Sequence, residues 1–445
     1  MFINLLVGGI IVVSFKENLS TDEVFGISNE ILTLSYVDRG NLDEKVQRFL
    51  QRRTHLALRG ESKCGKSWFR QKNIADALVV QCRYKKTVVD IYTDALSQLG
   101  IRLIIEETTG SNIKGKVEAS TSIGSAILAK IAVKLGLESE SKSEQTEEMV
   151  GRDINDLRYI AEIIINSGKR LVIEDFHYLS VEERKIFSYD LKTLWDYGCF
   201  VVVIGVWSQN NMLIYLNADL SGRIKEFSIY WSDEDLKTVI SKGSNALNIK
   251  IADSLIDQLV SNCFGNVGIL QQLILLTLDE AELFEKQNVE VAVTDAINFS
   301  NAAQVYADQL NALYQQFAKT VSYGIRRRRD STGIYAHAMA VIVDASDEKL
   351  INGLDLDEVF RISHQRQPRI LKNNMRVILT KLEELQVDED GRGLVIAFNE
   401  STDEITAVDR QLLFYRRHLT VNWPWEDLIA EAERNQEDPN QSRLF

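Results

Sequence analysis

Leu56 to Ser67 reads LALRGESKCGKS, and this stretch decides the fold. Three apolar residues, Leu56, Ala57 and Leu58, lead toward Gly60; after four intervening residues come Gly65, Lys66 and Ser67. The pattern G-x-x-x-x-G-K-S is that of a phosphate-binding loop. Its glycines let the backbone curl so that successive N–H groups point inward at phosphate oxygens, at a helix start whose dipole favours negative charge. Lys66 reaches the β- and γ-phosphates, and the Ser67 hydroxyl can coordinate Mg²⁺. Average residue usage would yield this pattern by accident in such a chain on the order of one time in a hundred. The candidate nucleotide-binding residues are therefore Gly60, Glu61, Ser62, Lys63, Cys64, Gly65, Lys66, Ser67 and Trp68, with ATP and Mg²⁺ as the expected ligands.

A loop of this kind needs acids at the end of a second buried strand. Arg170 to Asp175, RLVIED, supplies an apolar run that ends in paired carboxylates. One such carboxylate holds Mg²⁺ through water, and the other orients or deprotonates the attacking water. Glu174 and Asp175 share these roles and the spacing does not divide them; Ser67 with Asp175 forms the candidate metal pair. His177 either contacts the γ-phosphate region or caps the following turn. Cys199 to Val206 is a fully apolar strand that runs into Trp207-Ser208-Gln209, where Ser208 or Gln209 is placed to sense the γ-phosphate. Ala77 to Cys82 reads as a further core strand. Strands alternating with helices indicate an α/β, doubly wound, mostly parallel sheet with the nucleotide at its carboxyl edge. Ahead of the loop, SYVDRG places Arg39 beside the nucleotide base, or as a solvated turn arginine.

The chain of 445 residues has room for two or three domains. Its 45% apolar and 26% charged residues are those of a soluble globular protein, and a cytoplasmic one is expected. The net charge of −13 excludes a surface that coats nucleic acid throughout, although not a local basic patch. Cys64, Cys82, Cys199 and Cys263 have no paired spacing, so neither a zinc site nor a disulfide framework is expected. The apolar start, MFINLLVGGIIVV, is too short to span a bilayer and lacks a basic lead and a cleavage site; an added strand or an over-called translation start fits it better. Residues 105 to 150 change to Ser, Gly, Lys, Glu and Thr around the apolar SIGSAILAKIAVKLGL. They read as a flexible insertion, or as a hairpin or helix that contacts a partner.

The C-terminal part reads as a helix over 300–325, the basic run Arg326 to Arg329, and helices over Tyr335 to Val343, Leu356 to Ile362 and Arg369 to Leu385. Two strand-like runs follow, Leu394 to Phe398 and Glu404 to Val408. Three helices and a hairpin make a winged helix-turn-helix. On the third helix Ile370, Val377, Ile378, Leu382 and Leu385 form the expected apolar stripe. From Arg361 to Lys381 there are six cationic residues and no acid, a reversal of the overall charge. Arg366, Arg369, Lys372, Asn373 and Arg376 are the candidate contacts to double-stranded DNA; the alternative is a winged helix that contacts protein.

The phosphate loop, the RLVIED strand, the polar strand end, and Arg223 in LSGR before an acidic helix together resemble the AAA+ and STAND groups of P-loop ATPases. The resemblance covers about residues 30 to 300. It implies slow hydrolysis of ATP by a molecular switch, of a type associated with phage defence, with Lys66, Glu174, Asp175, Ser208 and Arg223 as catalytic residues. Arg223 matches the arginine that contacts the γ-phosphate, in cis or from a neighbouring subunit of a homo-oligomer. One departure stands in FGNVGILQQL: Gly268 occupies a place where related ATPases often carry arginine. The expected organisation is an extension over 1–25, an ATPase core over 26–232, a helical lid over 233–300, a linker over 301–332, a winged helix over 333–420 and a tail over 421–445. Alternatives are a nucleotide-holding scaffold for a protein effector, or an ATPase that regulates a recombinase or transposase.

Overall fold

A computed structural model describes residues 4–7, 10–13, 18–109, 112–135, 154–207, 209–323, 332–386 and 393–437. Five strands build the central sheet: β1 (His55–Gly60), β2 (Ala77–Gln81), β3 (Arg170–Glu174), β4 (Val201–Gly205) and β5 (Ile224–Ile229). They lie in the order β2-β3-β4-β1-β5, all parallel. β1 thus has β4 and β5 as neighbours, with Leu58 opposite both Ile204 and Phe227, and the acid-bearing β3 stands one strand further away. This is an α/β P-loop nucleotide-binding arrangement, with every strand pointing its carboxyl end at one edge.

Strand alternation divides the sheet into two buried faces. Leu56, Leu58, Val172, Val202 and Ile204 pack with Phe69 of helix α1 (Lys66–Asn73) and with Val46 of helix Leu42–Leu50. On the other face Ala57, Leu171, Ile173, Val201 and Val203 pack with Phe187, Leu191 and Leu194 of helix Val181–Asp196. His55 opens β1 inside this second face. Its Nδ1 accepts the Val201 N–H at 2.9 Å, and its Nε2 donates to Leu191 O at 2.8 Å. Burial pushes its pKa down to about 4, so the ring is held neutral.

The insertion begins as an antiparallel pair, Ile101–Thr109 with Asn112–Ala119, followed by helix Ser122–Leu135; residues 136–150 lie outside the described residues. At the N-terminus Asn4–Val7 pairs with Ile10–Val13, so the apolar start forms two strands, where the sequence suggested one added strand. After β5, Ser232 caps helix Asp233–Leu247 through a reciprocal bond pair with Asp235. Helix Asp253–Asn262, helix α2 (Val267–Glu280) and the 28-residue helix α3 (Ala296–Tyr323) follow. One continuous apolar cluster runs from Leu236 through α3 to Leu412 and Trp425, joining these helices to the C-terminal part.

That C-terminal part contains helices Ile334–Asp344 and Asp347–Asn352, the two-residue strand Leu354–Asp355, helix α4 (Leu356–Arg366), helix α5 (Lys372–Thr380), and strands β6 (Ile396–Asn399) and β7 (Glu404–Ala407). β7 lies between Leu354–Asp355 and β6 in a small antiparallel sheet. The expected single helix from Arg369 to Leu385 is corrected. Extended backbone at Leu371 starts α5 after Arg369, and a turn at Lys381 separates α5 from Leu382–Gln386. The apolar stripe changes accordingly: Met375 and Leu379 are buried, while Val377 is 54% exposed. The run Arg326 to Arg329 lies outside the described residues.

Candidate functional site

The loop between β1 and α1 holds its shape through a left-handed Gly65 (φ 85°), a conformation that suits glycine. Lys66 is buried and folds back over its own loop, donating to Gly60 O at 3.1 Å and to Glu61 O. Ser67 is exposed at the first turn of α1, and Trp68 donates its indole N–H to Ser28 O at 2.8 Å. Arg39 lies next to the loop. Its guanidinium stacks 4.3 Å from the Trp231 ring and 5.8 Å from Phe69, and Trp231 in turn donates to Cys64 O at 3.0 Å. Arg39 is buried, so the solvated-turn alternative is corrected, and its Nε and Nη2 make no hydrogen bond among the described residues.

Two remote segments close over the loop. From the start of α2, Asn266 Nδ2 donates to Ser62 O at 2.7 Å, and Gly268 N–H donates to Lys63 O at 3.1 Å. A Cβ on Gly268 would stand 2.6 Å from Lys63 O, which accounts for the missing arginine: the backbones approach too closely for any side chain. From the chain just after β7, Val408 O accepts the Ser62 N–H at 3.2 Å, Arg410 pairs with Glu61, and Gln411 accepts from Lys63. Between them Asp409 is buried, accepting from Tyr314 of α3 at 2.8 Å and from Gln411 N–H at 3.1 Å. Burial raises its pKa, against the pull of Tyr314, Lys63 and Lys66. Arg410 Nε and Nη1 are buried without a hydrogen bond among the described residues. A cavity of about 440 Å³ separates β1 and β5 from the hairpin, with Arg59, Tyr230, Thr406 and Arg410 among its walls.

The two acids of β3 have different partners. Glu174 accepts from Arg70 of α1 at 3.1 Å. Asp175 turns into left-handed backbone (φ 56°) and accepts from Gln81 Nε2 at 2.9 Å. His177 does not cap the turn; its Nδ1 accepts the Val206 N–H at 3.3 Å and ties β3 to the end of β4. Burial, then the charges of Lys66 and Arg184, push its pKa down to about 3. Ser208 lies outside the described residues, and its neighbour Trp207 donates to Glu226 at 3.1 Å.

Arg223 is at the opposite edge. It precedes β5, whose first residue Ile224 pairs with His55, whereas the loop begins after Gly60, opposite Ile229. Its guanidinium donates to Asp219 O and stacks 5.0 Å from Trp195. The reach of β1 is five residue steps, roughly 17 Å of strand, so Arg223 lies far from the phosphate loop of its own chain.

The cationic residues of the C-terminal part meet acids from other elements. Arg366 lies 3.8 Å from Asp344, Lys372 pairs with Asp357, and Arg376 pairs with Asp403 and donates to Glu400 O at 2.9 Å. Arg369 donates to Gln367 at 3.3 Å, and Asn373 is exposed. The sequence count from Arg361 to Lys381 could not register Asp344, Asp357 or Asp403, which lie outside that window. Lys63–Gln411, Glu61–Arg410 and Arg70–Glu174 also escape sequence reasoning, since each joins residues more than a hundred positions apart.

Among the described residues no His, Cys, Asp and Glu cluster could hold a metal ion by itself, and no helix is long and apolar enough to cross a membrane. No family model and no curated protein matches this sequence. Among solved structures, a STAND protein with a tetratricopeptide repeat sensor from Pyrococcus horikoshii is similar at 12% identity and a TM-score of 0.35, over 90% of this chain and 45% of that one. This chain thus spans less than half of that relative. The RuvB Holliday junction branch migration motor of Thermotoga maritima is similar at 12% identity and a TM-score of 0.34, over 86% of this chain and 96% of that one. Likenesses this shallow assign no residue role.

Proposed function

We propose that this protein is an ATP-dependent switch: an ATPase core whose nucleotide state controls a C-terminal winged helix-turn-helix. One observation carries the reading. The segment Val408–Gln411 grips Glu61, Ser62 and Lys63, so nucleotide entering the loop meets the C-terminal part directly. The enclosed Asp409 carboxylate lies within the field of Lys63 and Lys66, the cations that phosphates would claim. Polyphosphate arriving there repels that carboxylate and competes for those cations, which favours release of the segment.

In this reading Lys66 leaves Gly60 O and Glu61 O for the phosphates, loop N–H groups cradle them, and Arg39 and Trp231 bound the base. Mg²⁺ suits the donor set of one exposed hydroxyl, Ser67, and two carboxylates, Glu174 and Asp175; when bound it neutralises phosphate charge. One of the two acids orients the attacking water, Ser208 senses the γ-phosphate, and Arg223 acts on a neighbouring subunit's nucleotide within a homo-oligomer. Release exposes the winged helix to duplex DNA through Arg366, Arg369, Lys372, Asn373 and Arg376. A setting in phage defence, in the cytoplasm, fits such a switch. The paired state of Glu174, Lys372 and Arg376 favours a second reading, a scaffold that holds nucleotide without turnover and recruits a protein effector, including a recombinase or transposase.

ATP turnover of the purified protein, with and without duplex DNA and beside Lys66→Ala, tests the proposal. DNA-stimulated turnover is expected. ATP binding with no turnover in either condition overturns the ATPase switch and supports the scaffold.

A further inference from the structure

Ser67 and Arg70 are three residues apart on α1, so they share one helix face. A single face of that helix therefore carries the hydroxyl suited to a divalent cation and, one turn on, a guanidinium. Glu174 faces the same way: β3 alternates, and Val172, two residues earlier, packs in the cluster that contains Phe69 of α1. Arg70 Nε donates to Glu174 Oε1 at 3.1 Å, with the two side chains only 15% and 12% exposed. Asp175, by contrast, is held by the neutral amide of Gln81. One acid of the pair is thus matched to a cation and the other is not.

We propose that Arg70 is the resident counter-cation of Glu174, that a divalent cation must compete with it, and that Arg70 thereby sets how strongly nucleotide binding depends on Mg²⁺. The inference rests on the nucleotide reading above. With Arg70 in place, the carboxylate's field is cancelled and the empty site tolerates polyphosphate alone. Without it, Glu174 stands as an uncompensated anion in a poorly hydrated position. The site then attracts a divalent cation more strongly and repels metal-free polyphosphate. These two effects have opposite signs, whereas a role confined to holding α1 against β3 moves both affinities the same way.

Calorimetric titration of ATP into the full chain, in EDTA and across a Mg²⁺ series, separates the cases. Arg70→Gln is expected to lower the half-saturating Mg²⁺ concentration about tenfold, the scale of one charge-assisted bond, and to weaken metal-free ATP binding. Arg70→Lys should stay near the wild type in both. In a Glu174→Gln background Arg70→Gln should leave the Mg²⁺ midpoint unmoved. Both affinities shifting in one direction, or a midpoint shift that persists without the Glu174 carboxylate, overturns the inference. If Arg70→Gln does not fold, the comparison of Glu174→Gln with Arg70→Lys/Glu174→Gln decides it: any midpoint difference between them overturns the proposal, and equal midpoints, both displaced from the wild type, support it. A folded wild type that binds no ATP overturns the nucleotide reading instead.

Discussion

The phosphate loop and the cationic helix α5 are both short stretches with a strong signal in their residue types, yet they stand differently in the folded chain. The loop's motif is complete within twelve contiguous residues, and its glycine, lysine and serine are the types that suit phosphate. The helix presents Lys372 and Arg376, whose charges are answered by Asp357 and Asp403 from outside the stretch. A local backbone motif therefore keeps its meaning on folding, while a charge pattern acquires one only when its neighbours are known.

The largest effect expected from this contrast is at the loop. Lys66→Ala removes the cation that phosphates require, and ATP affinity should fall about a thousandfold, the scale of stripping one partner from a desolvated charge pair. Stoichiometric binding retained in calorimetry would show that the motif does not keep its meaning. Next in size is the frame under the loop. The His55 pKa is about 4 in the folded chain and about 6.5 unfolded. Between those values the unfolded chain binds the additional proton, so His55 contributes stability above pH 6.5 that is lost as pH falls toward 4. The loss is about 3 kcal/mol for this ring, with His177 adding in the same direction over a window that starts at the same pH and extends down to about 3. Urea denaturation from neutral to acid pH should show the decline, and a slope no smaller in His55→Gln would contradict its origin.

The contact between the two regions comes third. Arg410→Ala removes a contact with Glu61 that nucleotide must displace, and should tighten ATP binding about tenfold. An affinity equal to the wild type would separate the loop from the C-terminal part and undo the switch. The smallest effect is expected on α5 itself. Asp357→Asn with Asp403→Asn frees two cations, so duplex DNA affinity should rise and its log–log salt slope should steepen by about 2. Arg369→Glu with Arg376→Glu should weaken the same binding at low salt. No change in either pair would leave α5 as a protein-contacting surface, and the difference between the two regions would be complete.

How far the sequence could be read follows the same division. The strand Arg170–Glu174 was legible because burial on both sheet faces demands an unbroken apolar run. The extent of α5 was less legible: a 3.6-residue period continued through Lys381, but the turn there depends on how Leu379 and Leu382 enter the shared apolar core. The edge at which Arg223 lies was not legible in its surroundings in the chain: it follows from β5 running parallel to β1, which places a residue before β5 far from the loop after β1.

By itself the sequence determined the apolar strands and the place of the glycine-rich loop between a strand and a helix, since each of these is written in neighbouring residues and in periodicities of two and 3.6. Only the tertiary structure decided that Gly268 leaves no room for an arginine, that Arg70 faces Glu174, and that Val408–Gln411 closes over residues 61–63. These contacts join residues separated by 104 to 349 positions. Which distant pairs meet is set by the packing of whole elements around a common core, and no local pattern encodes it.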